Sequence, residues 1–394
     1  MRVSAANPST PRRETGDNML KTISAIVAAF FTFPQLASAD PGVYPDRVVL
    51  GMSAPLSGPN GAYGVEMRDA ALACLAGINA DGGVNGRRID VVALDDGYET
   101  EKTVANTKEL INKRDVFALF AFYGSSPTKA AMDVFSAAQV PLVGTISGAE
   151  FLRTPVNRHM FHVRASYNDE TAKIVKQLVT LGLKNIAILY QDDGFGQAGL
   201  EGAKAALKKA GLEPSAVGTV ARNSLDVAAA VAAISKVTPQ AVIMVTLYKP
   251  TAAFVRAMRK AEQYPMWATL SPVGADLLVK ELGDDALGVG ITQVMPYPWN
   301  DTVPVVREYQ QAIKSAGNGT EPSYYGLEGC VNAKIMAEAL RRAGRDLSRE
   351  RLVGVLENFS YDLGGYKVGY RPSDHNGSQF VEFTVIGTGG KILR

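Results

Sequence analysis

The chain has 394 residues, is 46% apolar and 20% charged, and carries a formal net charge of only +2. That composition excludes a disordered chain and a nucleic-acid binder with a basic block, and the length suits two domains of ordinary size better than one core. Two cysteines and three histidines leave little material for metal or thiol chemistry.

The first recognisable segment is a secretory signal that begins at residue 19. Met19-Leu20-Lys21 supplies a start and a positive charge, and Ile23 to Phe33 is an apolar run. Pro34 breaks it, and Ala37-Ser38-Ala39 provides the small residues a signal peptidase reads. The run is shorter than the roughly 20 apolar residues needed to cross a bilayer. We therefore read residues 1–39 as leader, with the signal peptide at 19–39, a start at Met19 and a soluble protein exported to the periplasm. Asp40 rather than cysteine follows the cut, so no lipid anchor is available there.

Strands and helices alternate from there on. Val48 to Ser53 reads as a buried strand, and Tyr63 to Ala80 as a helix with Met67, Ala71, Cys74, Leu75 and Ile78 on one side. Next come strand Ile89 to Leu94, helix Thr100 to Lys113, strand Val116 to Phe122, helix Pro127 to Ala138 and strand Val140 to Ile146. After Arg153-Thr154-Pro155 the rhythm restarts. Strand Phe161 to Arg164, helix Asp169 to Leu181, strand Ile186 to Tyr190, helix Gly196 to Ala210 and strand Val217 to Val220 follow. Then come helix Val227 to Ser235, strand Ala241 to Thr246, helix Thr251 to Glu262, and strands Met266 to Leu270 and Val289 to Val294. Helices Pro304 to Ala316, Tyr324 to Ala343 and Ser348 to Glu357 lead to Tyr366 to Tyr370 and Gln379 to Ile386, which read as an antiparallel pair. The βα rhythm predicts an α/β fold of two doubly wound parallel-sheet lobes joined by a hinge. Lobe 1 is expected to hold residues 46–164 and 296–356, and lobe 2 residues 165–295 and 357–394. The chain should cross near Arg164-Ala165-Ser166, near Met295-Pro296 and between Glu357 and Tyr361.

Several chemistries find no support. His159 and His162 are spaced like a metal pair, but on a strand residues three apart face opposite ways. The chain has no GxSxG or HExxH pattern. Gly194-Phe195-Gly196-Gln197-Ala198-Gly199 is a literal GxGxxG after a strand. However, Asp192 and Asp193 would set like charge against a pyrophosphate, and no acid ends the next strand to hold a ribose. No cofactor, metal or nucleic acid is expected, and no enzyme activity. Cys74 and Cys330 sit in apolar, helical stretches. Two buried thiols are the favoured reading, with a disulfide open in an oxidising compartment.

The carboxyl ends of the strands are the informative places, because ligands of open α/β sheets bind there. They carry Tyr63 and Gly64 after the first strand, then Tyr123-Gly124-Ser125-Ser126 and Gly144-Thr145-Ile146-Ser147. In the second half they carry Ser166-Tyr167-Asn168, Phe195, Tyr248-Lys249-Pro250 and Ser271-Pro272-Val273-Gly274. Ser125 and Ser126 open a helix whose free N–H groups suit a carboxylate, or they simply cap it. Tyr167, Phe195 and Tyr248 suit apolar walls. The set holds a small molecule and contains no nucleophile–base pair.

From Val48 to Arg394 the chain resembles the leucine/isoleucine/valine-binding family of type I periplasmic solute-binding proteins. The resemblance rests on Pro55-Leu56-Ser57-Gly58 through Tyr63-Gly64, Ile78-Asn79-Ala80-Asp81-Gly82-Gly83-Val84-Asn85-Gly86, Asp95-Asp96, Gly124-Ser125-Ser126 and Asp192 through Gly196. It implies that Ser125 faces a ligand carboxylate, with backbone from Gly124. It also implies that Thr145, Ile146 and Ser147 lie against the head group, and that Tyr63, Phe195 and Tyr248 close over the side chain. Val273 stands where the family places a glutamate for the ammonium group. The partners implied are a small-molecule ligand and the membrane permease of an ABC importer, with the binding protein a monomer. A ligand sensor for a membrane receptor or kinase, and a binder of aromatic acids, are the alternatives.

Exported protein should begin at Asp40, which intact-mass spectrometry will check. A mature species that retains Met19 to Ala39 would contradict the signal.

Overall fold

The computed structural model describes residues 40–317 and 319–394; the signal peptide lies outside them. The first series is β1 (Arg47–Ala54), α1 (Gly61–Ala80), β2 (Arg88–Asp95), α2 (Thr100–Asn112), β3 (Ala118–Phe120), α3 (Ser125–Ala137), β4 (Leu142–Val143) and β5 (Met160–Phe161). These strands make a parallel sheet in the order β2-β1-β3-β4-β5. The second series is α4 (Tyr167–Thr180), β6 (Ile186–Asp192), α5 (Gly194–Lys209), β7 (Val217–Ala221), α6 (Ala228–Ser235), β8 (Ala241–Val245), α7 (Tyr248–Lys260), β9 (Met266–Thr269), α8 (Ala275–Leu282) and β10 (Gly290–Gln293). The chain then returns through α9 (Pro304–Ala316), α10 (Tyr324–Ala343) and α11 (Arg349–Leu356). It ends with β11 (Ser360–Asp362), β12 (Lys367–Gly369), β13 (Glu382–Ile386) and β14 (Ile392–Leu393). The second sheet runs β14-β13-β10-β9-β8-β6-β7. Its five parallel strands repeat the order of the first sheet, and β13 and β14 add an antiparallel edge.

The central strands are apolar because helices cover both faces of each sheet. Val48, Leu50, Ala118, Leu119, Phe120 and Ala241 to Val245 are all fully buried. The edge strand β7 alternates instead, with Gly218 and Val220 inward and its other residues exposed. α10 lies late in sequence but packs against α1 in the first half. The approach is close enough to demand glycine: a Cβ at Gly329 would come within 2.3 Å of the Met67 carbonyl oxygen.

The structure corrects five expectations. Cys74 of α1 and Cys330 of α10 form a disulfide, with Cα atoms 5.5 Å apart, rather than two thiols. Helical patterning placed both in the core but said nothing of their proximity. β9 and β10 are joined by α8, which the sequence reading passed over, although parallel neighbours require a crossover, usually helical. The expected pairing of 366–370 with 379–386 does not form. β12 pairs with β11, and β13 pairs with β10 and β14. Finally, residues 357–377 pack on the first sheet, not the second. His162 N–H donates to His375 O (3.0 Å), Gly377 N–H to His162 O (2.8 Å), and Phe161 stacks on His375. The last passage into the second sheet therefore falls between Ser378 and Glu382. Strands β3 and β4 are also shorter than expected, because Ala121 (φ 51°) and Gly144 (φ 78°) turn left-handed and break the ladder.

Replacing both cysteines with serine should lower stability by up to about 5 kcal/mol in the chain-entropy limit, because the bond closes a separation of 256 residues. Calorimetry with and without reductant will measure this: the oxidised wild type should melt higher, and the double variant should not respond to reductant.

Candidate functional site

Strand order reverses once in each sheet, between β1 and β3 and between β6 and β8. Such switch points are where open α/β sheets take ligands, at the carboxyl ends of the strands. Here the two switch points face each other. Tyr63, after β1, donates its hydroxyl hydrogen to Val273 O (2.9 Å) and accepts from Tyr248 N–H (3.0 Å). Tyr248, after β8, donates back to Pro59 O (3.2 Å). Ser126 Oγ, after β3, accepts from Gly194 N–H (3.0 Å), after β6. At the rim Asn60 bonds Asn223 (2.8 Å), and Asn223 and Arg222 reach Glu99. The two halves are thus closed on each other. A cavity of about 180 Å³ remains at their margin, lined in part by Pro59, Asn60, Gln191, Asn223 and Lys249.

Inside the closure lies a cluster of tyrosines. Tyr63 stacks on Tyr123 with centroids 5.5 Å apart and contacts Tyr248 (5.5 Å) and Tyr325 (5.0 Å). Tyr98 meets Tyr123 edge-on, and Tyr167 meets Phe195 in the same way at 5.4 Å. Burial holds the Tyr63, Tyr98, Tyr123, Tyr167 and Tyr325 hydroxyls above their usual range, so all stay neutral. Beside them, Ser125 Oγ bonds Ser147 Oγ at 2.7 Å and approaches Tyr167 Oη at 3.5 Å. Ser147 Oγ also accepts from Ala149 N–H (3.2 Å). Thr145 is 1% exposed and its Oγ1 has no hydrogen-bond partner. Ile146 bridges to Tyr123 as a continuation of the sheet. Gly124 caps α3 at φ 93°, where a Cβ would lie 2.6 Å from Tyr98. Neither serine caps the helix: Ser125 turns to Ser147 and Ser126 to Gly194. The structure therefore gathers Tyr63, Gly124, Ser125, Ser126, Thr145, Ile146, Ser147, Tyr167, Phe195 and Tyr248 around one closure. It also buries Ser125 completely.

Beneath the tyrosines is an ionic cluster that the sequence reading passed over. Arg164, 1% exposed, faces Glu170 (3.3 Å) and Glu328 (3.5 Å) and donates to Ser271 Oγ. Glu170 accepts from Ser271 N–H and Thr292 Oγ1, each at 2.7 Å, and from Ser271 Oγ at 3.0 Å. Burial raises both carboxyls, and Arg164 opposes it. Burial likewise works against the Arg164 charge, but Glu328 and Glu170 outweigh it and hold the guanidinium above its ordinary value. A second buried guanidinium, Arg153, donates to Ser147 O (3.2 Å), Arg164 O (3.0 Å) and Asn376 Oδ1 (2.6 Å), and burial lowers it to about 10. It ties the Ser147 loop to the crossing strand. The available signal was a pair of arginines inside apolar stretches, which need partners if buried.

The GxGxxG segment does other work. Asp193 caps α5, its Oδ1 accepting from Phe195 N–H (2.9 Å) and Gly196 N–H (3.1 Å), the groups a pyrophosphate would need. A Cβ at Gly196 would lie 1.8 Å from the Gln191 carbonyl oxygen, so these glycines serve close packing. Val273 is fully buried and offers the closure only its carbonyl. No group of three or more His, Cys, Asp or Glu able to hold a metal occurs among the described residues.

Two sheets with ligand-type switch points closed on each other make a two-lobe architecture of the kind that encloses a ligand. A sequence family described as periplasmic binding protein matches residues 47–391, and the chain belongs to it. The family consists of substrate-binding proteins of the periplasm and is not a family of enzymes. The chain is 24% identical over 341 residues to Leu/Ile/Val-binding protein homolog 7 of Brucella abortus, covering 81% of this chain and 82% of that one. A possible leucine/isoleucine/valine-binding protein from Rhodopirellula baltica superposes with TM-score 0.84 at 30% identity, covering 91% of this chain and 98% of that one. A substrate-binding periplasmic protein from Ralstonia solanacearum gives 0.83 at 32%, covering 88% and 99%. This is therefore a periplasmic binding protein of the Leu/Ile/Val-binding type. No described helix is long and apolar enough to cross a membrane.

Glu170→Ala should destabilise the protein by about 3–5 kcal/mol, because it strands a buried guanidinium. Urea unfolding will read this as a lower midpoint. An unchanged midpoint would mean that Arg164 is satisfied without it.

Proposed function

We propose that the protein captures a small carboxylate-bearing ligand between its two halves and delivers it to the permease of an ABC importer. The observation that carries this reading is the meeting of the two switch points around buried hydroxyls, with Thr145 Oγ1 unpartnered. The Ser125–Ser147 pair and the first amides of α3 suit a carboxylate, and the tyrosines suit a flat or branched apolar body. In our reading residues 46–164 and 296–377 move as one lobe and 165–295 with 382–394 as the other, so that opening exposes this chamber.

The counter-charge for an amine argues for the ligand class. Val273 carries none. Asp193 is spent on capping α5, Glu170 and Glu328 already face Arg164, and Glu66 and Asp276, outside the tyrosine cluster, are pushed by burial toward the neutral form. A buried ammonium without a partner costs several kcal/mol. We therefore favour an amine-free carboxylate, such as a branched aliphatic or aromatic acid, over an α-amino acid. The names of the relatives favour the amino acid, which makes the comparison decisive.

Thermal-shift measurements followed by calorimetry should rank 4-methylpentanoate or benzoates about 100-fold or more above leucine. Tight leucine binding with no response to the amine-free acids would refute the preference. Ser125→Ala should weaken the best ligand by about 1–3 kcal/mol. It should also cost the fold about 1 kcal/mol through the lost Ser147 bond. Unchanged affinity would remove Ser125 from the ligand site.

A further inference from the structure

A second polar contact between the halves lies outside the tyrosine cluster. Glu66 follows Tyr63 by one turn of α1, so it sits near the same junction. α8 is carried against that junction from the other side: a Cβ at Gly274, just before α8, would lie 2.9 Å from Tyr63 Cε1. Asp276, in the first turn of α8, acts on Glu66 from across the interface. Glu66 Oε2 and Asp276 Oδ1 are both buried, and neither has a hydrogen-bond partner. Two carboxyl groups, one from each half, are thus brought to one junction, with Lys280 acting on each.

We propose that this carboxyl pair couples closure of the cleft to uptake of a proton, so that the closed form is favoured in mild acid and loosened as pH rises. The proposal rests on the reading of the protein as a trap that opens and closes. Two neighbouring carboxylates cannot both ionise cheaply away from water, so the closed form keeps a proton that the open form releases.

The surroundings agree. Lys280, one turn along α8, is exposed and is the least of the influences on Glu66. From α9 comes Tyr309, whose hydroxyl burial pushes up to about 12. From the start of α10 come Ser323, which hydrogen-bonds Glu66, and Tyr324, whose hydroxyl burial also raises. Beyond Tyr324, Glu382 is paired with Arg394 at 2.6 Å. Neither tyrosine changes charge near neutrality. Burial first, and Asp276 second, push the Glu66 carboxyl up to about 7, and burial raises Asp276 as well.

The sign follows from which form binds the proton more tightly. Opening returns both groups to water and to ordinary carboxylate values near 4. Closure is therefore fully favoured below that value. It weakens as pH rises toward about 7, by at most tenfold in the closed-to-open ratio per pH unit, and is flat above.

The test uses ligand-free mature protein and small-angle X-ray scattering at about pH 5.5 and about pH 8, a window that takes in the upper part of the expected change. Wild type should have a smaller radius of gyration at the lower pH. Glu66→Gln should stay compact at both, because it removes the carboxyl raised to about 7 and keeps its shape, whereas Asp276→Asn should move the change to lower pH, because burial alone still raises Glu66. Burial lowers His159, His162 and His375 from the ordinary imidazole value, His162 most of all, and the variants retain all three, so a histidine effect would persist in both. Superimposable wild-type curves at the two pH values would overturn the proposal, as would a Glu66→Gln variant that expands like wild type or an Asp276→Asn profile identical to wild type. If Glu66→Gln does not fold by circular dichroism, Asp276→Asn and the wild-type profile decide alone. No ligand enters the experiment, so a failed ligand screen leaves its result standing.

Discussion

A guanidinium withdrawn from water must be neutralised where it sits, and Arg164 sits where the chain first passes from one sheet to the other. Its partners come from both sides: Glu328 from α10 on the first sheet, Glu170 and Ser271 from the second half. Local chemistry sets this up. Ser166 and Asp169 form a reciprocal cap that fixes the first turn of α4. Glu170 is then the next residue in, held against Ser271 and Thr292. The passage between the halves is thus locked by charge at its floor, and motion has to be accommodated around that point. Arg153 extends the lock by tying the Ser147 loop to the carbonyl of Arg164 itself.

The tyrosine cluster rests on this floor and explains how one chamber is built from two sheets. Each half contributes a switch point with the same strand order, so each offers the same kind of loop ends. What differs is their chemistry. The first half supplies hydroxyls and glycine-shaped backbone, whereas the second supplies Tyr248, Phe195 and carbonyl acceptors. Tyr63 joins them, because its one hydroxyl both donates to Val273 and accepts from Tyr248. A neutral phenol is the only ionisation state that can do both, and burial secures it.

Much of this was legible in the chain, and what was not has physical reasons. α9 and α10 were read to their observed ends, where Pro304 opens one and Gly317 and Gly344 follow the two. The loops of the chamber were found because parallel sheets place them at strand carboxyl ends. Strand lengths were overestimated at Ala121 and Gly144, where left-handed backbone ends the ladder inside apolar sequence. The short helix α8 escaped although its eight residues alternate buried and exposed as clearly as those of α6 and α11, which were read. The ionic cluster escaped because Ser271 and Glu328 are far from Arg164 in sequence, and pairing at that range leaves no local trace. The same holds for Cys74 and Cys330. It also holds for the return of residues 357–377 to the first sheet, which depends on backbone bonds between His162, His375 and Gly377.

The Cys74–Cys330 bond makes the chain a covalent ring with two tails. The ring runs out through the first sheet, around the whole series from α4 to β10, and back along α9 to the start of α10. The second half is therefore an insertion inside a closed circuit, and only β13 and β14 enter it from the outer tail. A single backbone nick anywhere in that insertion opens the ring but severs nothing, since both new ends remain joined through the α1–α10 staple. The same topology singles out this half as the place where new chain termini could be cut without splitting the molecule.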